Sequence, residues 1–257
     1  MTATPQAAPA VASDAMGLGP RVADMARACV EFFFPRLCHV CLNRLAPSDE
    51  IICDRCRADL VPPRGPVCPW CGAGDAKIED ERCRACPKPR HFDAARGAVA
   101  YTDTARALVH ELKFAGHVEL APVMARRCYR VLEDDWAFEA PDMIVPVPLH
   151  ETRFQLRGFN QAMEIAKELE RLTRIPLNPQ ALERVRPTQA QSSLGPNERR
   201  GNVRGAFFSD RNADVAARDI LLVDDVMTSS ATINECARVL KEAGAARVLA
   251  LVFARAA

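Results

Sequence analysis

No apolar run of 18 residues occurs anywhere in this 257-residue chain, so no membrane-spanning helix is expected. The first twenty residues hold no lysine, no arginine and no apolar core stretch. That argues against a secretory leader, and a cytoplasmic location follows as the default. Excess charge is also lacking: 34 Lys and Arg against 33 Asp and Glu leave a net charge of +1. Bulk electrostatics therefore predict no polyanion partner, and any nucleic-acid site must be a local patch. The Ala, Pro, Ser and Thr of residues 1–20 read as a disordered tail. The whole chain is 49% apolar and 26% charged, an ordinary globular balance with enough apolar material for a sizeable core. Its length favours one or two domains.

Cysteine is abundant and ordered. Eight of the eleven form four pairs, Cys38/Cys41, Cys53/Cys56, Cys68/Cys71 and Cys83/Cys86, whose first members recur every 15 residues. Each Cys-x-x-Cys turn folds two thiolates to one side, half of a tetrahedral zinc site. A disulfide framework would need an oxidising compartment. A redox dithiol predicts one pair beside a βαβ unit, not four in a row. Zinc is the preferred reading, and a small segment poor in apolar residues needs such a staple to fold. Adjacent pairing gives two sites, Cys38-Cys41-Cys53-Cys56 and Cys68-Cys71-Cys83-Cys86; interleaved pairing is the alternative. Cys29, Cys128 and Cys236 lie in helical patterns and read as small buried hydrophobes. His39, His91 and His117 read as bystanders.

Four regions follow along the chain. Residues 1–20 are tail. Residues 21–35 form an amphipathic helix with a stripe of Val22, Met25, Ala26, Cys29, Val30 and Phe33, ended by Pro35. Arg21 and Arg27 are its only cations, which favours a packing face over a membrane surface. Residues 36–90 carry the cysteines, and Cys86-Pro87-Lys88-Pro89-Arg90 reads as a linker. From 91 to 257 strands and helices alternate, the pattern of a parallel α/β sheet. Strands are expected at Arg96–Tyr101, Met143–Val147, Ile220–Val223 and Val248–Phe253. Helices are expected at Thr104–Phe114, Glu119–Leu132, Asn160–Leu172 and Ala231–Ala243.

The richest segment runs from Ile220 to Thr232. Its apolar start suits a central strand. Asp224 and Asp225 then fall at the strand's carboxyl end, where open α/β sheets bind ligands. Thr228, Ser229, Ser230 and Thr232 follow, where free backbone N–H groups and a helix N-terminus attract an anion. Vicinal hydroxyls on the acids and a phosphate on the loop describe a sugar phosphate. The bland alternative is a strand followed by a capped helix, which requires one hydroxyl rather than paired acids and four small polar residues.

This order resembles the phosphoribosyl pyrophosphate (PRPP) loop of the type I phosphoribosyltransferases, with Val226, Met227, Thr228, Ser229, Ser230, Ala231 and Thr232 as the phosphate loop. The family pattern usually has glycine where this chain has Ser230. Either Ser230 adopts a strained left-handed backbone, or its Oγ serves as a phosphate ligand or helix cap; the second is preferred. Three further segments, Val145-Pro146-Val147-Pro148-Leu149, Arg157-Gly158-Phe159-Asn160-Gln161 and Glu198 to Phe207, join the cysteine pairs in resembling the ComF family, from about Phe34 to the C-terminus. The resemblance implies an α/β fold: a type I phosphoribosyltransferase-like parallel sheet flanked by helices, preceded by a cysteine-rich double zinc ribbon. It also implies, in some bacteria, a part in DNA uptake during natural transformation.

Phosphoribosyl transfer develops positive charge on the sugar and negative charge on pyrophosphate, so cations, N–H donors and usually Mg²⁺ are required. Val147, Pro148 and Leu149 are the expected pyrophosphate loop, with Arg153 and Arg157 close behind as donors. Asp224, Asp225 and Arg157 are the candidate catalytic residues. Lys113 either reaches a phosphate or snorkels. Residues 184–204, with five arginines, one acid and no periodicity, resemble a lid that closes over PRPP; a solvated basic loop is the alternative. The leading function is Mg²⁺-dependent phosphoribosyl transfer from PRPP. The alternatives are a single-stranded DNA-binding uptake factor, with Trp70 one of few aromatics in the cysteine segment, and a zinc-dependent adaptor.

Overall fold

The computed structural model describes residues 25, 32–77, 83–188, 201–210 and 214–256. The tail and most of the 21–35 segment lie outside these. Where that segment is described, Met25 and Phe33 are 65% and 72% exposed. The rest of the expected stripe, Val22, Ala26, Cys29 and Val30, lies outside the described residues.

A four-stranded parallel sheet organises the chain. Its strands are β1 (Ala94–Ala100), β2 (Met143–Pro146), β5 (Asp219–Met227) and β6 (Arg247–Arg255), in the order β1-β6-β5-β2. The central strands β5 and β6 are near-continuous runs of Val, Leu, Ile and Ala, as burial on both faces demands. Along β5 the faces alternate. Ile220 and Leu222 join one apolar cluster, and Leu221 and Val223 join the other.

Helices cover both faces. On one side lie α2 (Asp103–His110), α3 (Ala121–Asp134) and α5 (Gln161–Thr173), with α3 packed on α5. Thr102 caps α2 by accepting from Ala105 N–H, and Asn160 caps α5 by accepting from Ala162 N–H. On the other side α6 (Ala231–Glu242) covers β5 and β6. A two-stranded antiparallel pair, β3 (Glu183–Arg184) and β4 (Phe207–Phe208), stands beside α6. A short α1 (Asp54–Ala58) lies in the cysteine segment and α4 (Glu151–Arg157) follows β2. Neither short helix has enough periodicity to be legible in sequence.

The cysteine segment covers the free edge of the sheet. Ala95 N–H donates to the Trp70 carbonyl at 2.7 Å and Ala100 N–H to the Val61 carbonyl at 2.8 Å. An exposed strand edge is thereby closed. Gly72 allows the close approach: its φ is +67°, and a Cβ there would lie 2.4 Å from the Ala95 carbonyl oxygen.

Candidate functional site

The eight knuckle cysteines fall into two clusters, Cys38-Cys41-Cys53-Cys56 and Cys68-Cys71-Cys83-Cys86, each with its sulfurs within 4.8 Å of one another. Adjacent pairing is thus realised and interleaving is not. Tetrahedral zinc with bonds of about 2.3 Å spaces its sulfurs about 3.8 Å apart. The Cys41–Cys53 and Cys68–Cys86 separations are both 3.7 Å. All eight thiols are free, too far apart for disulfides. These are two four-cysteine zinc-binding sites. Burial works against ionising Cys38, but the amides of Cys41, Cys53 and Val40 outweigh it and bring the thiol down to about 7. Cys68 reaches about 7 in the same way, with burial opposed by the amides of Cys71 and Trp70. Each site thus holds one thiol poised to ionise and bind metal.

The second constellation sits at the end of β5. The strand does not stop at Val223 as expected. Its ladder with β6 continues to Met227 opposite Arg255, while β2 ends at Pro146 opposite Val223. Asp224 and Asp225 therefore lie within β5, at the point where its neighbour on one side has ended. Successive strand residues point to opposite faces, and the two carboxylates have different surroundings. Asp225 is 5% exposed, and its Oδ2 lies 2.6 Å from Lys113 Nζ. The Asp224 charge interacts with the Arg184 guanidinium, and burial, followed by that same charge, pushes the Cys236 thiol well above its ordinary range. Asp224 keeps some exposed surface, but burial, followed by the Asp225 charge, pushes its carboxyl up to about 7. Its Oδ1 accepts from Asp225 N–H at 2.8 Å.

Lys113 rides on a π-helical turn, Glu111–Ala115, that continues α2. Periodicity predicted ordinary helix to Phe114. Such turns recur at functional sites because they re-aim side chains, and no sequence pattern announces one. Phe114, next along, is 68% exposed, and the Arg157 guanidinium lies 5.4 Å from its ring centre. Arg157 also donates to Gln161 Oε1 at 2.8 Å, and burial pulls its guanidinium below the ordinary arginine range, with the Asp225 charge only partly opposing this.

After β5 the chain enters the small polar loop. The side chains of Met227 and Ala231 are buried in the core, so only their backbone can face a ligand. Val226 packs partly against the core. Ser230 has φ 59° and ψ 6°, the left-handed conformation, and stands at the N-cap of α6 without a side-chain cap bond. The expected helix cap is therefore not made and the backbone is left-handed, which leaves phosphate ligation as the remaining part of the preferred role for Oγ. The hydroxyls of Ser229 and Ser230 are both buried without a hydrogen-bond partner. Thr228 and Thr232 occupy the same loop and the first turn of α6.

The proline-bracketed loop lies at the adjacent strand end. Val147 N–H donates to the Val223 carbonyl at 2.9 Å, and Asn160 Nδ2 to the Val147 carbonyl at 3.0 Å. Pro148 and Leu149 line a cavity of about 460 Å³ shared with Phe154 and Met163. Arg153 turns toward the long basic loop, donating to the Thr188 carbonyl at 2.8 Å. Arg184 reaches the Thr188 hydroxyl and lies 5.2 Å from the Phe207 ring centre. The two ends of that loop are tied: Val185 N–H donates to the Ala206 carbonyl at 3.0 Å, and Arg186 to the Arg204 carbonyl at 2.8 Å. Its middle, 189–200, lies outside the described residues. Arg184 and Arg255 were not singled out from sequence; both are largely buried arginines beside the site, a signal only the fold reveals. No helix among the described residues is long and apolar enough to cross a membrane.

Comparison with known proteins adds to this geometry. Residues 29–94 match the double zinc ribbon domain family. The DNA utilization protein YhgH of Salmonella typhi is 34% identical over 219 residues, 83% of this chain and 94% of that one. The competence protein ComFC of Bacillus subtilis is 29% identical over 213 residues, 79% of this chain and 82% of that one. Among solved structures, glutamine PRPP amidotransferase of B. subtilis, complexed with ADP and GMP, has a TM-score of 0.37 and 18% identity. That similarity covers 52% of this chain and only about a quarter, 26%, of the amidotransferase. With two four-cysteine sites ahead of a parallel α/β sheet, and with identity of this extent to such relatives, the chain belongs to the ComF family.

Proposed function

We propose that this protein binds PRPP or a related ribose 5-phosphate and transfers the phosphoribosyl group to an acceptor. The observation that carries this reading is the end of β5. Two carboxylates are followed within five residues by two buried serine hydroxyls that lack partners, in a left-handed turn opening α6. Unpartnered buried hydroxyls are costly unless a ligand completes them. A 5′-phosphate does so, with the α6 N-terminus supplying N–H groups. Asp224 and Asp225 accept from the ribose hydroxyls. Arg153 and Arg157, on the helix that follows the proline-bracketed loop, would donate to the leaving pyrophosphate. Asp224 and Asp225 offer the hard oxygens that Mg²⁺ takes alongside phosphate ligands, and the bound ion would neutralise charge on the leaving group. Calorimetric titration of PRPP, with and without Mg²⁺, tests this. Saturable binding that is lost on changing Asp224 and Asp225 together to Asn is expected; equal affinity in wild type and double mutant would sink the reading.

One observation favours a second function at the same surface. Phe114 and Phe154 are exposed aromatics beside Arg157 and Arg153, the interleaving that stacks and neutralises single strands. The relatives' names, DNA utilization protein and competence protein, agree with it. Binding of a fluorescent oligothymidylate that weakens severalfold in Phe114→Ala and persists in the double Asn variant would assign DNA to this face.

A further inference from the structure

A cluster of metal donors outside both sites joins the zinc ribbon to the turn that carries Lys113. His39 sits inside the first knuckle, between Cys38 and Cys41. His117 follows the left-handed Gly116 that ends the π turn. Glu119 lies in the one-turn helix Val118–Leu120. One ligand atom from each of these three residues lies within 4.8 Å of the other two. Glu119 Oε1 is 2.8 Å from His117 Nδ1 and 4.0 Å from His39 Nε2. The two imidazoles meet edge to face with centres 4.4 Å apart.

A simple ion pair needs one imidazole per carboxylate. Here two rings converge on one carboxylate oxygen. Tetrahedral zinc with bonds of about 2.0–2.1 Å spaces nitrogen and oxygen donors about 3.3 Å apart, so closure requires shifts of at most about 1.5 Å. Two imidazoles and one carboxylate suit Zn²⁺ far better than Mg²⁺ or Ca²⁺. Glu111 Oε2 lies 3.7 Å from His117 Nε2, on the ring nitrogen away from Glu119, where a carboxylate orients a ligating histidine. All three donors retain solvent exposure, so an ion can enter and water can complete its shell.

We propose that His39, His117 and Glu119 bind a third Zn²⁺, distinct from the two thiolate sites. Glu111 and Lys113 share the π turn that leads into His117, so the ion braces the Lys113–Asp225 pair against the ribbon. The proposal does not depend on PRPP binding.

The test is Co²⁺ titration of the full-length, tag-free, metal-stripped protein. Two equivalents should give intense thiolate-to-metal charge-transfer bands. A third, bound at least tenfold more weakly, should add visible d–d absorption alone. His117→Ala and Glu119→Gln should each lose the third equivalent and keep the first two, with His117→Gln in reserve should the alanine variant fail to fold. Saturation at two equivalents, a third ion with thiolate bands, or a third equivalent that survives both substitutions overturns the proposal.

Discussion

Arg255 ties Cys71 of the second zinc site to Thr228 of the proposed phosphate loop. Its Nε donates to the Cys71 carbonyl at 3.3 Å and its Nη1 to the Thr228 carbonyl at 2.6 Å. The same Nη1 reaches the Met227 carbonyl at 3.1 Å, and the residue is 3% exposed. Gly97 makes this possible, since a Cβ there would lie 2.3 Å from Arg255 Cβ. Arg255→Met would fill the space while removing this donor from the Cys71 and Thr228 carbonyls; the Met227 carbonyl keeps its bond from Ala256 N–H at 3.0 Å. A loss of at least about 2 kcal/mol is expected, with PRPP affinity reduced as the loop loosens. Urea denaturation of the zinc-loaded variant measures the first and calorimetry the second. Wild-type stability would show that water replaces the guanidinium.

The ribbon is more than an appended module, because its carbonyls close the β1 edge. Stripping zinc with a chelator should therefore expose β1 as well as unfold the knuckles. Hydrogen exchange at the Ala95 and Ala100 amides is the sensitive measure: both should lose protection on chelation and regain it on adding zinc. Unchanged protection would mean that the sheet edge holds without the metal.

What the sequence revealed and hid follows from the range of the interactions. Regular cysteine spacing and a polar loop after an apolar strand are local patterns, and they located both zinc sites and the phosphate-loop candidate. The continuation of β5 through Asp224 and Asp225 was hidden because two acids look like a strand end; only pairing with β6 holds them in the ladder. The π turn under Lys113 and the burial of Arg255 depend on distant packing. So does the meeting of His39 with His117, 78 positions apart, which no local pattern joins.

Lys113 and Asp225 form a largely buried ion pair at 2.6 Å. Removing one partner strands the other charge. Lys113→Met should cost about 3–5 kcal/mol. Adding Asp225→Asn to that variant should restore most of it, since a neutral amide needs no counter-charge. Thermal or urea melts of the two singles and the double close the cycle. Additive losses would mean that the pair contributes no coupling.

Asp224 gives the pH dependence. Its carboxyl titrates at about 7 in the folded chain against an ordinary 3.8. The folded state therefore binds the proton more tightly than the unfolded one, so stability falls as pH rises from about 4 to about 7 and levels off above. Asp224→Asn removes that slope. The variant's melting temperature should draw level with or exceed the wild type's at pH 8, and lose that relative advantage toward pH 4. Parallel curves across this window would show that Asp224 is ionised throughout.

Ser230 separates stability from binding. Its left-handed backbone, φ 59°, costs a residue with a Cβ about 1–2 kcal/mol, and its hydroxyl returns nothing to the helix because it makes no cap bond. Glycine relieves the strain and gives back part of the gain through its greater chain entropy. Ser230→Gly should therefore raise stability by about 0.5–1 kcal/mol. The proposed function requires the opposite sign for ligand affinity, since the buried, unpartnered Oγ is the group that phosphate would complete. Losing that bond should weaken PRPP binding by about 0.5–1.5 kcal/mol. Denaturant melts without ligand and titrations with it read the two effects independently. A more stable variant that also binds PRPP more tightly would show that the loop needs only a left-handed backbone at this position, and that the serine hydroxyl is no part of the phosphate site.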